Sequence, residues 1–162
     1  MTKGQTKRLH QTTAAQIEYS RMGADFKPMV APRRHDLYDR FTMKHDAFNG
    51  FCQSLPATTY VVQWGGSHVW KVGGKVFAIG NENDAEPSYT FKAGDISYEL
   101  LKDQKGLRPA PYLASRGLKW IQQFAKPGLT DDELRGYIRL SYALVVQGLS
   151  KKKRAELGLG TP

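Results

Sequence analysis

One cysteine, Cys52, stands in a chain of 162 residues. A lone thiol excludes an internal disulfide and fits a reducing cytoplasm. Long apolar runs are missing as well. None approaches the roughly 20 residues that span a bilayer, so no membrane partner is expected. The opening stretch MTKGQTKRLHQTTAAQ is polar and basic. It lacks both the apolar centre of a secretory signal and the amphipathic face of a mitochondrial presequence. The four histidines, His10, His35, His45 and His68, are dispersed, and Cys52 has no partner at ligand distance, so neither a metal nor a cofactor is expected. Acidic residues are scarce: 15 against 24 Lys and Arg, a net charge of +9. Such an excess attracts polyanions and is the usual footprint of nucleic-acid binding.

What is present is a globular composition, 40% hydrophobic, with seven Phe, eight Tyr and three Trp. The chain divides at Met43. Residues 1–42 carry eight basic and four acidic groups with Thr, Pro28, Pro32 and Arg33-Arg34, and little periodicity. They read as a basic, flexible N-terminal extension, and 43–162 as the folded domain. Asp46 is a good N-cap, and Ala47, Phe48, Phe51, Cys52 and Leu55 form a helical stripe that Pro56 ends. TTYVVQW (58–64), SHVWKV (67–72) and KVFAIG (75–80) follow, separated by Gly65-Gly66 and Gly73-Gly74. Glycine adopts the positive φ of a primed hairpin turn without steric cost, so the segment predicts an antiparallel meander. SYTFKA (88–93) predicts a fourth strand, after a polar turn at 81–87. Asp95 caps a second helix with Ile96, Leu100 and Leu101 inward and Gly106 as its stop. LRPAPYLASRG is a rigid loop, and KWIQQFA (119–125) a fifth strand. Thr130 and Glu133 form a capping box for a helix over 131–147, with Leu134, Tyr137, Ile138, Ser141, Leu144 and Val145 inward. SKKKRAEL (150–157) is a short last helix or a frayed tail.

The order of one helix, four strands, helix, strand, helix predicts an α+β two-layer sandwich. It has a five-stranded, mainly antiparallel sheet with helices on one face. Strand alternation assigns Tyr60, Val62, Trp64, Trp70, Val72, Phe77, Ile79, Tyr89, Phe91, Trp120, Gln122 and Phe124 to the helix side. The alternate set is Gln63, Val69, Lys71, Val76, Ala78, Thr90, Lys92, Lys119, Ile121 and Gln123. Its charged members, Lys71, Lys92 and Lys119, are all positive.

The blocks WGGSHVWKVGGKVFA, GLRPAPYLASRGLKWIQ and RLSYALVVQGLSKKKR resemble the MmcQ/YjbR family of small bacterial proteins, whose fold is like that of bacterial frataxin. The resemblance covers about 43–157, with the blocks in the family's order and spacing; family members usually begin near Met43. Its positions here are Trp64, Lys71, Val72, Gly74, Lys75 and Phe77 in the hairpin. Gly106, Pro109, Ala110 and Tyr112 match in the loop, Lys119 and Trp120 in the fifth strand, and Ser141 and Tyr142 in the long helix. The resemblance implies the two-layer fold and DNA binding, with no defined sequence target and no catalytic chemistry.

The expected phosphate contacts are Lys71, Lys92 and Lys119 on the open sheet face, Lys75 at the hairpin, and Arg108 and Arg116 in the loop, with Lys151–Arg154 beyond. Lysine meets phosphate as a point charge and reads no sequence, so weak, non-specific DNA binding is expected. Stacking needs an exposed aromatic, and Tyr112 is the best placed. VGGKVF lacks the spacing of a phosphate-binding loop. The acids of 131–133 serve a helix N-terminus rather than a metal. Ser141 lies on a buried stripe with no histidine nearby in sequence, so the protein is expected to be no enzyme. The alternative is a protein-interaction module that docks a partner on the open sheet face or an edge strand.

Overall fold

Gly73 and Gly74 take φ angles of 57° and 80°, which turn the chain so that Val72 pairs with Lys75 across the hairpin. The computed structural model describes residues 43–82 and 86–160. Its elements are α1 (His45–Ser54), β1 (Thr58–Gln63), β2 (Ser67–Val72), β3 (Lys75–Asn81), β4 (Ser88–Lys92) and α2 (Asp95–Leu101). After these come β5 (Leu107–Pro109), a 3-10 turn (Ala114–Arg116), β6 (Trp120–Gln123), α3 (Asp131–Gln147) and α4 (Lys151–Glu156). All strand pairs are antiparallel, in the order β1-β2-β3-β4-β6-β5. The α+β sandwich stands as expected, with six strands instead of five. The additional strand, β5, hides in the loop because three residues are too few to show alternation. Its Pro109 is tolerated because β5 is an edge. No helix among the described residues is long and apolar enough to cross a membrane. The extension 1–42 lies outside the described residues.

Helix ends differ in detail. α1 starts at His45, with an extended Lys44 at its N-cap making no side-chain bond. Asp46 therefore acts in the first turn through its charge and not as the cap. α2 has an extended Gly94 at its N-cap with no side-chain bond, so Asp95 stands in the first turn and is not the cap, and the helix ends at Leu101. Its buried residues are Ser97 and Leu101, and Leu100 is exposed. In α3 both capping-box bonds between Thr130 and Glu133 form as predicted. Leu140 is buried there in addition to the expected stripe, while Leu144 is partly buried against the core.

The core unites Phe48 and Cys52 of α1 with Trp70, Val72, Phe77, Ala78, Tyr89, Phe91 and Ile121 of the sheet and Leu134, Tyr137 and Ile138 of α3. The register corrects the predicted faces in three places. An irregularity between Trp70 and Lys71 shifts the β2–β3 pairing, and Phe77 and Ala78 are both fully buried beside it. A bulge re-aims one side chain in this way and breaks strict alternation. Ile79 therefore turns away from the helices. In β6, Ile121 sits opposite Phe91 and Gln123 opposite Tyr89, so Ile121 and Gln123 face the helices. Trp120, Gln122 and Phe124 lie on the other side. Trp64 is not a strand residue at all. β1 closes with Gln63 opposite Ser67, and Trp64 enters the turn with φ 52° and 65% exposure. Tyr60 and Val62 share the helix side with Trp70, yet on the edge strand they remain exposed.

Candidate nucleic-acid interface

Directly paired residues share a face of the sheet. One unbroken row crosses all six strands: Val61, Val69, Ile79, Thr90, Gln122 and Arg108. Alternation places Thr59, Lys71, Val76, Lys92 and Trp120 on the same helix-free side, and Gln63, Ser67, Asn81 and Ser88 beyond. Among the described residues the face contains three cations and no carboxylate. Lys71 and Lys92 are half-buried and Arg108 is exposed. Four strand spacings separate β2 from β5, so the cations span about 19 Å. Arg108 is held in place: its Nε donates to Gln122 Oε1 at 2.8 Å, and its guanidinium lies 4.4 Å from the centroid of the Phe124 ring. Such stacking leaves the outer nitrogens free for an anion.

The other expected contacts lie elsewhere. Lys119 precedes Trp120, and its Nζ binds Asp95 Oδ1 at 2.8 Å; that hydrogen bond raises its pKa. It is thus neither on the helix-free face nor an unpaired cation. Lys75 is exposed at the hairpin tip, opposite Val72 and so apart from the Lys71–Lys92–Arg108 group. Tyr112 is 86% exposed with φ 65°, in the loop between β5 and β6. Arg116 is an exposed residue of the 3-10 turn, and Lys151, Lys152 and Lys153 line the exposed α4. Of the aromatics on the cationic face, Trp120 is 8% exposed, and Phe124, 38% exposed, carries the Arg108 guanidinium over its ring. Among the described residues this face therefore offers cations without an uncovered aromatic ring for stacking.

Residues the sequence kept apart meet at the opposite side of the sheet. His45 and His68 are 23 positions apart, yet their rings approach to 4.0 Å between centroids in an edge-on pair. With Glu82 they form a cluster offering one ligand atom each, all within 4.8 Å of one another. The expectation of dispersed histidines fails for these two. The cause is the β1–β2–β3 meander, which carries His68 and Glu82 beneath the first turn of α1. No spacing motif signals this; the hairpin register would have. Desolvation and the neighbouring His68 hold the His45 pKa below its ordinary value.

The comparisons agree with this architecture. A crystal structure of a Deinococcus radiodurans protein with a DUF419 domain matches with a TM-score of 0.63 at 23% sequence identity. It covers 71% of this chain and 88% of that one, a likeness of fold. No curated protein matches the chain. The YjbR family model matches residues 53–144, from the end of α1 through most of α3, and on that match the chain belongs to the YjbR family.

Proposed function

We propose that this protein binds nucleic acid, DNA in the first instance, weakly and without sequence preference, through the helix-free face of its sheet. The observation that carries the reading is the shared placement of Lys71, Lys92 and Arg108 on a face without a carboxylate among the described residues. Cations so placed attract the phosphate backbone and leave base edges unread. The role is non-catalytic and exercised in the bacterial cytoplasm. In support, the hydroxyls of Ser141 and Tyr142 are committed to the carbonyls of Phe77 and Pro56. The single thiol, Cys52, is buried, and burial raises its pKa far above the ordinary thiol range.

A second reading is favoured by the other edge of the sheet. β1 is a six-residue edge strand with exposed Tyr60 and Val62, and exposed Trp64 follows it. An extended partner segment adding to β1 would pair with its free backbone groups and cover these side chains. One experiment separates the readings: binding of a labelled duplex in low salt, before and after Lys71→Glu with Lys92→Glu. Loss of most of the binding supports the nucleic-acid face. Binding equal to wild type overturns it and leaves the edge-strand reading.

A further inference from the structure

We propose that His45, His68 and Glu82 form a binding site for a divalent first-row transition metal ion, with Asn49 holding both imidazoles unprotonated at Nδ1 until the ion replaces it. The orientation of Asn49 carries the argument. Trp70 Nε1 lies 2.9 Å from Asn49 Oδ1; an indole nitrogen only donates, so the amide oxygen must face it. The amide nitrogen of Asn49 then points to both rings, 3.1 Å from His45 Nδ1 and 3.3 Å from His68 Nδ1. An amide nitrogen also only donates, so each Nδ1 is an unprotonated acceptor, the form in which imidazole ligates a metal. The Tyr60 hydroxyl lies 2.5 Å from His68 Nδ1 as well, and a metal ion bound at these atoms displaces both donors.

A third lone-pair atom closes on these two. Glu82 Oε1 lies 2.8 Å from His45 Nδ1. Two acceptors at that distance repel unless a proton or a cation lies between them. Meanwhile His45 Nε2 is buried, and among the described residues it has the Gly80 backbone beside it but no hydrogen bond of good geometry. The ring is seated on bare backbone, because a Cβ on Gly80 would stand 2.8 Å from that nitrogen. Around a tetrahedral zinc ion with bonds of 2.0–2.1 Å, ligand atoms lie about 3.4 Å apart. The present 2.8 Å contact and 4.8 Å limit bracket that spacing. The half-exposed Glu82 side chain is free to adjust to it. Two imidazoles and one carboxylate suit zinc and its first-row neighbours, and three protein ligands leave a position open. The site is independent of the cationic face, since it lies on the helix side of the sheet.

The test uses the full chain, stripped by chelator and titrated with Zn²⁺ by calorimetry and with Co²⁺ by visible absorption. One Zn²⁺ per chain and the ligand-field bands of tetrahedral Co²⁺ are expected. His68→Ala and Glu82→Gln should each weaken Zn²⁺ binding at least tenfold while keeping the wild-type circular dichroism. Those two carry the test because they are less buried than His45. Replacing His10 and His35 together by Ala should leave the affinity unchanged. Absence of Zn²⁺ binding overturns the proposal. So does binding that survives both His68→Ala and Glu82→Gln, or binding abolished by the His10 and His35 replacement.

Discussion

Ser141 donates its hydroxyl proton to the Phe77 carbonyl at 2.6 Å, and the same oxygen accepts the Lys92 backbone N–H at 2.9 Å. One side chain of α3 thereby satisfies two backbone groups of the sheet. Phe77 lies beside the register irregularity of the β2–β3 pair, and the β3–β4 pairing ends one residue before Lys92. Both groups fall where strand pairing gives them no partner. Ser141 is thus a structural clasp rather than only a small packing residue. Ser141→Ala leaves a buried carbonyl and amide unsatisfied and should cost about 2–4 kcal/mol. Urea unfolding measures it, with Ser141→Thr as a variant that keeps the oxygen.

The two hairpin glycines should respond unequally. At Gly73 a Cβ would lie 2.7 and 2.9 Å from the Leu149 methyls, while at Gly74 nothing stands within 4 Å. Both have positive φ, so a valine is strained at either position by about 1–2 kcal/mol. Gly73→Val should be the worse of the two by a clear margin in thermal melts. Gly74→Asn should be close to neutral, since asparagine tolerates the left-handed region.

Two tryptophans that look alike in the sequence should behave as opposites. Trp120→Ala removes a buried ring and should cost about 3–5 kcal/mol. Trp64→Ala removes an exposed ring from a left-handed turn and should change stability by no more than about 0.5 kcal/mol. Acrylamide quenching should reach Trp64 freely, so the fluorescence of the Trp64→Ala variant should be blue-shifted and poorly quenched.

The layer architecture was legible because its signals are local. The glycine pairs mark the turns, Thr130 and Glu133 mark the start of α3, and alternation marks Trp70, Val72, Tyr89 and Phe91 as inward. What was misread depends on register, which local pattern does not carry. The irregularity at Trp70/Lys71 moved Ala78 into the core beside Phe77, and a phase error in β6 exchanged Trp120 with Ile121. Trp64 was assigned to a strand because TTYVVQW alternates through it. The pairing of Gln63 with Ser67 ends the strand one residue earlier. The cationic face was half visible. Alternation places Lys71 and Lys92 on it, but Arg108 joins through a strand too short to recognise. Lys119 left it for Asp95, a partner 24 positions away that no local pattern reveals. His45 and His68 met for the same reason, through the fold and not through a motif.

The proposed nucleic-acid binding depends most on Lys71, Lys92 and Arg108 acting as phosphate contacts. The direct measurement is the affinity of the full chain for a labelled DNA duplex across a series of salt concentrations. It is made for wild type and for the variant with Lys71→Ala, Lys92→Ala and Arg108→Ala. Each contact contributes about −0.9 to the slope of log K against log salt. Removing three should make the slope shallower by about 2.7 and weaken binding in low salt, with little change in the melting temperature. A triple variant that keeps the wild-type slope and affinity would contradict the assignment of this face to nucleic acid.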